Sequence, residues 1–219
     1  AIDSVQKKVE NYFAEIREQV FTFDEVLATQ RESLYTQRQA TLLAPGDQME
    51  ESFRTACMET LDEILPNYLP LADSEDTAPE ERAEALVTKL VQFFPGLEPV
   101  EGSTLVNQSP DEVVAWAKGA MTKAVETKKS SLESVREGQF WRSAQYLLLL
   151  QLDNGWASHL RSMNYLKESV VLRKYQGKDV LQEYVIEGAK LYDSFRAAAR
   201  RNAVYSLMVY DPTPKTEGR

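Results

Sequence analysis

No proline or glycine interrupts residues 1–44 of this chain, and the apolar residues in that run recur at alternating four- and three-residue steps. Val9, Phe13, Ile16, Val20, Phe23 and Leu27 mark the stripe, Gln30 takes the next seam position, and Leu34 resumes it. The period is helical and heptad-like. At about 1.5 Å per residue, a helix of about 40 residues is roughly 60 Å long. That length does not fit inside a small globule. The chain is therefore expected to arrange its other elements along a spine, with Ala44-Pro45-Gly46-Asp47 as the stop signal.

The remaining 175 residues of the 219 supply enough apolar material for a core, since 43% of the chain is hydrophobic. A formal net charge of -9 repels nucleic acid and acidic lipid headgroups. Binding to either would need a local basic patch; no nucleic-acid partner is expected, and peripheral membrane contact stays open. One cysteine, Cys57, and one histidine, His159, support neither an internal disulfide nor a metal site. The longest apolar run, Tyr146–Leu150 (YLLLL), is far below the roughly 20 residues that span a bilayer. The opening AIDSVQKKVENYF has no initiator methionine and no signal pattern, which reads as a piece of a longer polypeptide.

Residues 47–129 have a different texture. Six of the nine prolines fall there, and acidic residues cluster around DSEDTAPEE. Short helices are expected at 48–65, at 79–94 with Pro79 in the first turn, and at 110–129 with Ser109 as cap and Pro110 at the first helical position. From about Ser131 long helices return. Phe140, Ala144, Leu147, Leu148, Leu152, Trp156, Leu160, Met163, Leu166 and Val170 trace a wide apolar surface, and the YLLLL run, apolar on every side, is expected to be enclosed by other helices. RKYQGK breaks the pattern. Asp179 with Gln182 then has the spacing of a capping-box variant, and Leu181, Tyr184, Gly188, Leu191, Phe195, Ala198, Asn202 and Tyr205 alternate three and four. The two helices are expected to pair antiparallel, with Gly188 and Ala198 allowing close approach. The expected fold is all-α: a long scaffold helix (1–46), an inserted helical subdomain (47–129), a two-helix finger (130–210) and a tail (211–219).

Motifs for independent chemistry are missing. GLEPVEGST at 96–104 has the wrong glycine interval for a phosphate loop and lacks its lysine, and neither H-E-x-x-H nor a nucleophile elbow occurs.

Two blocks resemble the SecA family of protein-translocation ATPases. The first is VENYFAEIREQVFTFDEVLATQRESLYTQRQ, where Val9, Glu10, Ile16, Arg17, Phe23, Asp24, Glu25, Val26, Gln30, Arg31, Leu34 and Tyr35 fill the family's scaffold-helix pattern. The second is LDNGWASHLRSMNYLKESVVLRKYQGKDVLQEYVIEG, which is similar to the family's two-helix finger. Where that finger usually reads LRGYAQKDP, this chain reads Leu172-Arg-Lys-Tyr-Gln-Gly-Lys-Asp-Val180, with the glycine displaced and the proline replaced. The YFAEIREQVFTFDEVL version looks closest to cyanobacterial and plastid members, and the altered finger suggests a divergent paralogue.

The resemblance implies that 47–129 is the helical wing and that the nucleotide-binding and preprotein-crosslinking domains, with ATP and Mg, belong to a longer parent. No cofactor is then expected on this piece, and no catalysis by it. It further implies a cytoplasmic or stromal location, peripheral to a membrane, with the Sec channel and unfolded preprotein as partners. Tyr175 at the finger tip would contact the moving polypeptide, against the plainer reading of a packed turn aromatic. Arg173, Lys174 and Lys178 would meet the channel or lipid, against a solvated basic turn. Asp24, Glu25, Gln30 and Arg31 would mark interdomain contacts, against a solvated face. Trp156 and His159 would be packing and coupling residues, their shared stripe with Leu152, Leu160 and Met163 pointing first to core. A different class remains open, a stand-alone helical adaptor that binds partner proteins with the same spine and hairpin.

Overall fold

A computed structural model describes residues 2–71, 78–98, 100–173 and 179–212. Its α-helices are α1 (Ile2–Leu43), α2 (Gly46–Ile64), α3 (Pro79–Phe93), α4 (Pro110–Val135), α5 (Gln139–Arg173) and α6 (Val180–Val209), with 3-10 turns at Leu65–Asn67 and Gly102–Thr104. No strand occurs among the described residues, in keeping with the all-α expectation.

Local chemistry accounts for the boundaries. The 42-residue α1 stops just before Pro45, whose carbonyl accepts the Met49 N–H at 2.9 Å and opens α2. Ser109 caps α4 in a reciprocal box: its Oγ accepts from the Glu112 N–H at 3.3 Å, and Glu112 Oε2 accepts from the Ser109 N–H at 2.7 Å. Those bonds from Ser109, the backbone one first, hold the Glu112 carboxyl below its usual range. α4 runs on to Val135, past the expected 129, because Leu132 extends its buried face by two more turns from Ala124 and Val125. Gly138, at φ 73°, makes the turn into α5, and the Glu133 carboxylate accepts from the N–H groups of Gly138 (2.7 Å) and Phe140 (3.0 Å). Two backbone donors at the start of α5 are thereby satisfied.

The chain divides into two compact units, Ala1–Ala40 with Leu152–Arg196 and Thr41–Gln151 with Ala197–Arg219, so α1, α5 and α6 each contribute to both. The first unit is built on Phe23, Met163, Leu166, Val170, Val180 and Tyr184. The Tyr184 ring meets Phe23 edge-on at 4.4 Å and 63°. Contacts pair residue 155 with 195, 163 with 188 and 173 with 183, so α5 and α6 run antiparallel here. Gly188 permits the approach the spacing predicted, since a Cβ there would lie 2.9 Å from Met163 Cε. Gly155 does the same against the Phe195 ring, at 2.5 Å. On α1 the stripe is buried at Phe23, Gln30 and Leu34, whereas Val9, Phe13, Ile16 and Val20 are exposed.

The second unit packs Met49, Phe53, Cys57 and Leu61 of α2 against α3, α4 and the nearer parts of α5 and α6. The spacing of four on α2 produces one inward face. Burial pushes the Cys57 thiol far up, which keeps it protonated and inert. Ion pairs close the outside: Arg200 meets Glu59 and Glu63 at 2.8 Å each, Arg201 pairs with Glu63, and Lys129 reaches Glu50 at 2.6 Å.

The YLLLL run is not enclosed. Tyr146 is 64% and Leu150 37% exposed, while Leu147 and Leu148 pack on the second unit's core beside Phe140 and Ala144. Positions 140, 144, 147 and 148 share one helical face, and the core covers only that face, so an all-round apolar sequence ends half-wet.

Candidate functional site

The last turn of α5 and the first turn of α6 lie within the second block of the family resemblance. α6 starts at a built cap: Asp179 Oδ1 accepts from the N–H groups of Leu181 (2.9 Å) and Gln182 (3.2 Å). Val180 and Tyr184, four residues apart, turn inward in the cluster that holds Val170 and Phe23. Capping and apolar spacing thus bring the first turn of α6 onto the last turn of α5.

Arg173 ends α5 and reaches across. Its Nη1 donates to Glu183 Oε2 at 2.9 Å and to Glu187 Oε1, and its Nη2 donates to Glu187 Oε2 at 3.3 Å and to Ser169 Oγ at 3.1 Å. Glu187 first and then Glu183 raise the guanidinium pKa above its ordinary value. The cation sits at the C-terminus of α5 and Glu183 in the first turn of α6, the placement both helix dipoles favour. Lys174, Tyr175 and Lys178 lie outside the described residues.

A second polar cluster links all three helices of this unit. Gln30 Nε2 donates to the Gly188 carbonyl at 3.1 Å, and Gln30 Oε1 lies 2.8 Å from His159 Nε2. With the amide nitrogen spent on a carbonyl, Oε1 must accept, so His159 carries its proton on Nε2. Gln30 and His159 are both buried. The imidazole is surrounded by Trp156 (5.4 Å), Tyr192 (5.6 Å) and Phe195, which stacks at 5.5 Å and 22°. Gln30 thus faces into the unit, and Trp156 and His159 belong to one aromatic cluster with it. Asp24, Glu25 and Arg31 are exposed. Glu25 borders a groove of about 480 Å³ between α1 and α6 whose walls include Val26, Val185 and Tyr192.

Burial holds the His159 pKa below its ordinary value. The unfolded chain therefore takes up a proton first as pH falls, so stability at this residue is fully present above about 6.5 and is lost below it, until the folded-state value is passed. Urea titrations at pH 7.5 and 5.5 should show a drop in stability that His159→Gln reduces. An equal drop in that variant would place the titrating group elsewhere.

Sequence reasoning assigned no role to Arg38 and Asp153, which form a forked pair at 2.9 and 3.2 Å between α1 and α5. Nor did it single out Gly155, Glu183 or Glu187 for contacts. Glycine in LDNGW was a usable signal for close approach, whereas the carboxylates looked like any solvated helix face.

Together these features define an all-α scaffold in which a long helix is tied to an antiparallel helical hairpin by a buried amide–imidazole link. The chain belongs to the SecA wing and scaffold family, whose model, described as the SecA Wing and Scaffold domain, matches residues 1–211. Relatives named "Protein translocase subunit SecA" include those of Synechococcus elongatus, 35% identical over 216 residues, and Synechocystis, 35% over 213, covering 98% and 97% of this chain. The Prochlorococcus marinus protein is 33% identical over 216 residues. The chain spans about a fifth of these relatives, 22% of each.

Proposed function

We propose that this chain is the scaffold and wing portion of a SecA-type translocase, passing the effect of ATP hydrolysis elsewhere in the parent to preprotein movement through the Sec channel. The observation that supports the reading is the link from α1 through Gln30 to His159 and Gly188, in a chain of this family. A displacement of α1 would be felt by both hairpin helices at once, because the link is buried and each partner would be left unsatisfied by slippage. ATP and Mg would be held by nucleotide-binding domains of the parent. The exposed Asp24, Glu25 and Arg31 would meet those domains or the preprotein-crosslinking domain, and Trp156 would brace His159.

At the finger tip Tyr175 would touch the translocating polypeptide, since an amphipathic ring contacts varied side chains without reading sequence. Lys174 and Lys178 would face acidic groups of the channel or lipid. The parent would work at the cytoplasmic or stromal surface of its membrane. Among the described residues no helix is long and apolar enough to cross one.

Tyr175→Ala in the full-length parent tests this. Thermal stability should stay within about 0.5 kcal/mol, the range of ordinary surface changes, while protein transported per ATP falls. Tyr175→Phe should be milder. Parental transport by the alanine variant under limiting ATP would defeat the tip-contact reading.

A further inference from the structure

Arg173, Glu183 and Glu187 do more than decorate the hairpin surface. The two carboxylates stand one turn apart on α6, where like charges at that spacing repel. A single guanidinium from α5 answers both, and Ser169 holds it from its own helix. The planar fork fixes direction as well as distance. Apolar contacts such as Val170 with Val180 lack that property, because burial is non-directional and tolerates sliding along the helix. The three charges are also part-buried, with side-chain exposures of 31, 22 and 37%. An external anion would have to displace two carboxylates to reach Arg173.

We propose that Arg173, Glu183 and Glu187 form a positioning strut that locks the axial register of α5 against α6 at the hairpin's end, and so sets how much polypeptide is moved per ATP. This rests on the translocase reading. Arg173 is thereby separated from Lys174 and Lys178: it acts within the hairpin and touches no partner. A load applied through one helix is passed to the other with little slip.

The test uses the full-length translocase, with ATP hydrolysis and vesicle-protected preprotein measured in parallel. Arg173→Gln should lower protein moved per ATP by about three- to tenfold, the scale of coupling carried by such networks, with the thermal midpoint near the parental one. The paired variant Glu183→Gln/Glu187→Gln should give the same loss, and adding Arg173→Gln to it should cost nothing further. Arg173→Lys, a point charge without the fork, should fall between. If only Arg173→Gln acts and the glutamate pair transports normally, Arg173 is a partner-contacting cation and the strut is wrong. If none of these variants changes efficiency while Tyr175→Ala does, the strut fails and the translocase reading stands. If Tyr175→Ala is also parental, the finger reading itself falls and the strut falls with it.

Discussion

Replacing Tyr184 by alanine should destabilise the first unit by about 3–5 kcal/mol, the range for emptying a large aromatic site. Tyr184 is fully buried and meets Phe23 edge-on, so its removal takes away area, an aromatic pair and the centre of the small core. The hydroxyl has no hydrogen-bond partner among the described residues, and burial, followed by the nearby charge of Asp24, pushes the phenol pKa up. Tyr184→Phe should therefore be neutral or stabilising, because it deletes only a desolvated polar group. Urea unfolding followed by Trp156 fluorescence, with Trp116 and Trp141 replaced by phenylalanine, reads this unit. A loss above about 1 kcal/mol for the phenylalanine variant would mean that the hydroxyl makes a bond in solution.

Phe53→Ala should have a similar effect in the second unit, about 3–5 kcal/mol. Phe53 is fully buried on α2 and packs perpendicular to Phe140 of α5 at 5.5 Å and 89°. Its neighbours on the buried face of α2, Met49 and Cys57, are already packed in the same core, so most of the cavity should persist. Phe13→Ala offers the internal contrast: that ring is 51% exposed, and its loss should stay within about 0.5 kcal/mol. Fluorescence of Trp141, next to Phe140 in the chain, would follow the change. Equal midpoints for Phe53→Ala and the parent chain would contradict the packing of α2 on α5.

Much of this architecture is legible before any coordinates. The four-three stripe and the absence of proline or glycine announce α1, and Ser109-Pro110-x-Glu112 and Asp179 announce the starts of α4 and α6. Such features depend on residues within one or two turns of each other. Gly188 is a partial case: its place on the seam indicated close approach, and Met163 Cε is the atom that a side chain there would strike. The two blocks that carry the family resemblance lie inside the matched residues 1–211.

The candidate site was less readable. Gln30 stood out because a polar residue interrupted an apolar stripe, yet its partners are 129 and 158 residues away in the chain. Spacing indicates which face of a helix points inward. It does not name what waits there.

Local periodicity and capping determined the helices, their order and the hairpin break, since helical hydrogen bonds and caps close within four or five residues. Tertiary packing decided which parts of each stripe are covered: the α1 stripe is buried at Phe23, Gln30 and Leu34 and exposed at Val9, Phe13, Ile16 and Val20, although the four-three spacing is the same in both halves and the polar residue lies in the covered one. It decided equally that YLLLL is wet on one side. It also decided the meaning of the charges. Arg173 stands in a basic stretch of sequence with Lys174 and Lys178, yet folding places Glu183 and Glu187 around it, because antiparallel pairing brings into contact residues ten and fourteen positions apart that one continuous helix would hold about 15 and 21 Å apart.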